Sequence, residues 1–125
     1  MIRLAALLAL SLSACAAAAP EGASPGGPAS RCDVTIRFGS YGGGIDRPLS
    51  DTVTDMVKTD RDLAHVERKP WGREGEYDLC LTAKSKLNAS AIYERYRAML
   101  PARNLQAPTS IEGPDGKRFE TIGPM

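Results

Sequence analysis

Two apolar alternations stand 43 residues apart in this chain, and each is followed by a helical stripe at the same offset. Val34, Ile36 and Phe38 alternate with Asp33, Thr35 and Arg37; the same period returns at Tyr77, Leu79 and Leu81 between Glu76, Asp78, Cys80 and Thr82. Because successive strand side chains point to opposite faces, each run reads as a half-buried strand. Downstream, Leu49, Val53, Met56 and Val57 line one face of a helix over 47–59, and Ile92, Tyr96, Met99 and Leu100 line one face of a helix over 89–100. All seven pairs keep one offset, from Val34 onto Tyr77 to Val57 onto Leu100. Any two strand–helix units of similar length could share this offset, so it does not establish duplication; it supports two equivalent strand–helix halves around one core.

Punctuation residues set the boundaries. Asp46 precedes the first helix and Pro48 lies in its first turn, where a missing amide costs nothing. Asn88 is expected to cap the second helix and Pro101 to stop it. Between the halves, 63–69 reads as a weaker strand with Ala64 and Val66 on its buried face, and 70–75, rich in Pro and Gly, as a turn. After the second helix, 110–112 and 118–122 flank Gly113, Pro114, Asp115 and Gly116, a hairpin candidate that one longer strand would also explain. The expected class is α+β. Its layout resembles the ferredoxin-like βαββαβ arrangement, an antiparallel sheet with two helices on one face and the first and third strands as central neighbours.

The amino-terminal residues carry an address. A single cation at Arg3, an apolar run over 4–12 far short of the roughly 20 residues that span a bilayer, and small residues before a cysteine have the shape of a secretory signal. Leu12-Ser13-Ala14-Cys15 resembles the lipobox of bacterial lipoproteins. In that family the cysteine sulfur receives a diacylglyceryl group, a dedicated peptidase cuts before the cysteine, and the new amino terminus is often acylated. The resemblance implies a signal peptide over 1–14, a lipid anchor on Cys15, and a protein of the bacterial envelope facing the periplasm. Ala16, which is not Asp, fits the outer membrane. Residues 16–30 contain only Ala, Pro, Glu, Gly and Ser and read as a tether, about 20 Å end to end and at most about 50 Å stretched. The rest, 31–125, is expected to be a single small domain.

Charge bears on partners. The whole chain carries a formal net charge of +1, and loss of Arg3 with the signal would leave it neutral. A neutral chain offers no electrostatic footprint for nucleic acid and no polybasic patch to reinforce membrane binding, so the membrane would be held through lipid alone. One acyl chain binds marginally, at about 0.8 kcal/mol per buried CH₂, whereas two or three hold stably. With Cys15 consumed by lipid, the resemblance leaves Cys32 and Cys80 as a disulfide pair in an oxidising compartment. Parity opposes this pairing: Cys32 shares the parity of Val34, whereas Cys80 has the parity opposite to Leu79, so a bulge or an irregular strand start is required.

Chemistry-bearing residues are few. The glycine loop 39–46 lacks both the dinucleotide fingerprint and the lysine of a phosphate loop, and Asp46 stands where an anion would sit. The single histidine, His65, has no second histidine for a metal pair, and neither a metal site nor a cofactor is implied. Glu76 and Asp78 occupy solvent-facing strand positions. In the expected topology, loop 39–46, hairpin 70–76 and segment 101–107 meet at one end. Tyr41, Trp71, Arg73 and Glu74, joined by Arg103 and Asn104, would then form an interaction surface of the aromatic and arginine kind that favours interfaces. A lid over the core end, with Lys69 or Arg73 stacked on Trp71, is the competing role for that tryptophan. The function expected is a non-enzymatic module contacting an envelope protein or the cell wall; the alternative is a small ligand-binding domain or hydrolase using the Tyr41/Trp71 end.

Overall fold

The computed structural model describes residues 32–125. The signal peptide expected over 1–14, the lipid site expected at Cys15 and the tether expected over 16–30 lie outside the described residues. Five strands and two helices follow in the order β1 (Val34–Phe38), α1 (Arg47–Thr59), β2 (Leu63–Pro70), β3 (Tyr77–Ala83), α2 (Ala89–Arg97), β4 (Thr109–Glu112) and β5 (Arg118–Glu120). The class is α+β: one five-stranded sheet of order β2-β3-β1-β4-β5, antiparallel at every pairing.

Strand β1 lies central because both its neighbours are apolar on the same face. Ile36 stands opposite Leu79 on β3 and Ile111 on β4, and Phe38 opposite Tyr77 and Thr109. These residues join Val53 and Val57 of α1 and Ile92, Tyr93 and Tyr96 of α2 in one core cluster. The Phe38 and Tyr77 rings pack with centroids 4.9 Å apart. The paired residues of opposite parity, among them Thr35, Arg37, Asp78, Cys80 and Glu112, carry the other face of the sheet.

Helix α1 begins where Asp46 and Pro48 place it, with the Asp46 carboxylate accepting from the Leu49 amide at 3.1 Å. Its buried face is Ser50, Val53 and Val57, so Met56 lies on the flank, 39% exposed, and not in the buried stripe. Ser50 is tolerated inside because its hydroxyl meets the Tyr77 hydroxyl. The start of α2 also differs from expectation. Ser85 caps a 3₁₀ turn over Lys86–Asn88 by accepting from the Leu87 amide, and this turn runs into the helix, leaving Asn88 with no capping hydrogen bond of its own. The helical path thus starts earlier than Asn88. It ends at Arg97, though Leu100 beyond it is still buried.

Strand β2 corrects a second expectation. Leu63 is its buried residue, whereas Ala64 and Val66 are exposed. The cause is position: β2 is the edge of the sheet, and the register shifts between Leu63 and His65. The last two strands form the hairpin, Ile111 opposite Phe119, across a turn in which Asp115 and Gly116 take positive φ.

The disulfide is present, Cys32 to Cys80 with Cα atoms 5.2 Å apart, inside the range bridged cysteines occupy. Parity is satisfied because Cys32 precedes the ladder: β1 starts at Val34, and Thr35 is the residue opposite Cys80. Asp33 secures the irregular start. Its amide donates to the Leu81 carbonyl at 2.9 Å, and its carboxylate accepts from the Ala83 amide at 2.8 Å and pairs with Lys86.

Candidate functional site

Strands β1 and β2 both run antiparallel to β3, so loop 39–46 after β1 and hairpin 70–76 after β2 emerge at one end of the sheet. Glu74 ties them together. Its Oε2 accepts from the Ser40 hydroxyl at 2.7 Å and from the Gly44 amide at 3.1 Å, while the Ser40 hydroxyl oxygen accepts from the Gly42 and Gly44 amides at 2.9 and 3.0 Å. Gly44 adopts φ 93°, a conformation that favours glycine and turns its amide to the carboxylate. The glycine loop thus does receive an anion, and that anion is the protein's own side chain. The hairpin is closed from within: Trp71 N–H donates to the Glu76 carbonyl at 3.1 Å, and Glu74 N–H to the Glu76 carboxylate at 2.7 Å.

Trp71 lies 53% exposed, and it is held in place. Arg37 and Asp78 are cross-strand partners on the face away from the core. Arg37 grips the carboxylate with two bonds, Nε to Oδ1 at 3.0 Å and a guanidinium NH₂ to Oδ2 at 2.9 Å. The Trp71 indole N–H donates to the same Oδ1 at 2.9 Å, and the Arg37 guanidinium carbon lies 5.4 Å from the ring centroid. The Asp78 hydrogen bond raises the Arg37 pKa against the opposing effect of burial. The cation on Trp71 is therefore Arg37 and neither Lys69 nor Arg73, and the ring's exposure corrects the reading of Trp71 as a lid on the core.

Tyr41, 49% exposed, takes another direction. Its hydroxyl end packs over Gly123, where even a methyl side chain would fall 2.1 Å from the phenolic oxygen. The two loops meet, while their two rings are held by different partners: Trp71 by the open sheet face, Tyr41 by the carboxy-terminal segment. Arg73 is exposed in the hairpin between Trp71 and Glu74. Asn104 reaches the same end through Asp46, and it accepts from the Gln106 and Ala107 amides, which makes it a brace for its own loop. Arg103 forms an isolated parallel bridge with Ile122. His65 is exposed on β2, opposite Thr82.

A polar cluster lies at the other end of the sheet, where the sequence reads only as a polar connection at Asp60, Arg61 and Asp62. Arg95 donates to Asp60 Oδ2 at 2.6 Å and Asp62 Oδ2 at 2.7 Å, and the Tyr96 hydroxyl donates to Asp60 Oδ2 at 2.7 Å. Burial favours the neutral acid at Asp60, but the Tyr96 hydroxyl, the Asp62 amide and Arg95 outweigh it and hold the carboxyl below its ordinary range. Burial and then Asp60 push the Tyr96 hydroxyl up. Nothing local in the sequence signals this cluster, since Asp60 and Arg95 meet only after both helices pack. Among the described residues, no group of three or more His, Cys, Asp or Glu could hold a metal ion. No family model matches the chain, and no curated protein or solved structure matches it either.

Proposed function

We propose that this is a lipid-anchored protein of the bacterial envelope, facing the periplasm from the outer membrane through Cys15, and that its domain is a non-enzymatic module contacting an envelope protein or the cell wall. The observation that carries the contact surface is Trp71: a large ring half open to solvent, yet fixed by Asp78 and Arg37. A fixed ring loses little conformational entropy on binding, and tryptophan, tyrosine and arginine are enriched among the residues that anchor protein contacts. Arg73 and Glu74 on the same hairpin supply polar groups at its rim. The Cys32–Cys80 disulfide supports an oxidising compartment. For the fold, the order β2-β3-β1-β4 and its antiparallel pairing support a ferredoxin-like layout, to which β5 adds an edge strand.

Photo-crosslinking in intact envelopes tests the surface, with the reactive group placed at Arg73 of the full chain. An adduct with an envelope protein or with peptidoglycan is expected, and Trp71→Ala should reduce its yield about tenfold or more, as loss of an anchor does. Thermal stability should stay within about 1 kcal/mol of wild type, because the ring is exposed. An unchanged adduct in the Trp71→Ala, Tyr41→Ala double variant would remove this surface from the proposal; a large loss of stability would assign Trp71 to the fold.

A further inference from the structure

The two edges of the sheet are unlike. Strand β5 offers three residues, whereas β2 offers eight, Leu63–Pro70, with Ala64 through Arg68 all exposed. Trp71 N–H bonds to the Glu76 carbonyl across the β2–β3 ladder, and the register is continuous from His65 to Pro70. By the alternation of an antiparallel ladder, His65, Glu67 and Lys69 therefore turn their backbone groups inward to β3, while Val66 and Arg68 turn theirs outward, where no strand of the described residues pairs with them. Such a row is a template for another strand.

We propose that the occupant is β2 of a second copy of this chain, paired antiparallel about a two-fold axis through Val66. Three registers keep each side chain on its own face and the outward groups in reach. Centring the pair on Arg68 sets Val66 against Pro70, which has no amide to give. Centring on Glu67 sets two carboxylates directly opposite each other. Centring on Val66 sets Val66, 36% exposed, against its own copy, and sets His65 opposite Glu67 twice over, by symmetry. Only this last register is self-complementary in backbone, apolar contact and polar pairing together. Among the described residues of one chain Glu67 pairs loosely with Lys69 at 3.6 Å, so it can turn to a partner. The dimer would continue one sheet across ten strands and leave the Trp71 hairpin of each copy at opposite ends of the shared edge.

Sedimentation equilibrium of the full chain in density-matched detergent, loaded from about 1 μM to 1 mM, reads the assembly. A monomer–dimer equilibrium is expected for the wild type. His65→Glu places like charges opposite each other at both symmetric sites and should weaken dimerisation about tenfold; adding Glu67→Lys restores opposite signs and should recover it. Both side chains are exposed, so circular dichroism, and the thermal midpoint measured at concentrations where each protein is monomeric, should match the wild type in each variant. A wild type monomeric throughout the range, or a dimer indifferent to His65→Glu, or a double variant as weak as the single, would overturn the proposal.

Discussion

Removing the disulfide by Cys32→Ala with Cys80→Ala is expected to cost about 2–5 kcal/mol, a larger loss than any surface substitution brings. The bridge closes a loop across a sequence separation of 48, and closing a loop of that length restricts the unfolded chain by roughly 4 kcal/mol in the chain-entropy model. Against a net stability of about 5–15 kcal/mol for a domain of this size, that is a large share. The native state adds to the argument. Cys32 lies before β1, and Cys80 is 4% exposed in the middle of β3, so the bridge, together with Asp33, fixes the start of β1 against the sheet. Thermal unfolding with and without a strong reductant should show a fall in Tm of about 15 °C or more. A shift below about 4 °C would mean that Asp33 and the ladder secure the amino-terminal end without the bridge.

Asp60→Ala should cost about 3 kcal/mol, and Asp62→Ala under about 1 kcal/mol, although both carboxylates touch Arg95. Exposure separates them: the Asp60 side chain is 4% accessible and that of Asp62 43%. Losing Asp60 strands the hydroxyl of Tyr96, a residue with no exposed surface, and leaves Arg95 with only the outer carboxylate. The same group gives a pH dependence of defined sign. Because the folded pKa of Asp60 is lowered, its contribution is complete above the ordinary aspartate value of about 3.9 and is lost as pH falls through the depressed value. The Tyr96 pKa is raised, so its contribution is complete below about pH 10 and is lost as pH rises further. Denaturant unfolding of wild type and Asp60→Asn from pH 2 to 7 checks the first of these: the wild type should lose more stability than the variant below about pH 4. Parallel curves would detach Asp60 from acid unfolding.

Local signals in the sequence are enough where the structure is local. Helix α1 runs over the residues that Asp46, Pro48 and a 3.6-residue stripe delimit, and β1 and β3 follow from strict alternation. What depends on strand order is not legible. Ala64 and Val66 have the composition of a buried face, and the position of β2 at the edge, with the register shift between Leu63 and His65, exposes them. Met56 fits the stripe of α1, yet the helix turns Ser50 inward because Tyr77 offers it a hydroxyl. The same limit applies to the candidate surface. The meeting of loops 39–46 and 70–76 follows from topology, which the alternating pattern already implies. The pairing of Arg37 with Asp78, which decides what holds Trp71, follows from the register between β1 and β3, information no single stretch of chain contains. Cysteine counting finds the bridge, and the opposed parity of Cys32 and Cys80 calls for the irregular start that the chain makes before Val34.

Placement at a membrane is what would turn this small domain into an envelope component, and it rests on Cys15. Mass spectrometry of the mature amino terminus, after expression in a bacterium that processes lipoproteins, is the most direct measurement. A chain beginning at Cys15 and carrying two or three acyl chains is the expected result, with Cys15→Ala abolishing both the modification and membrane association. An unmodified mature chain beginning further along, near Ala19 or Pro20, would contradict it.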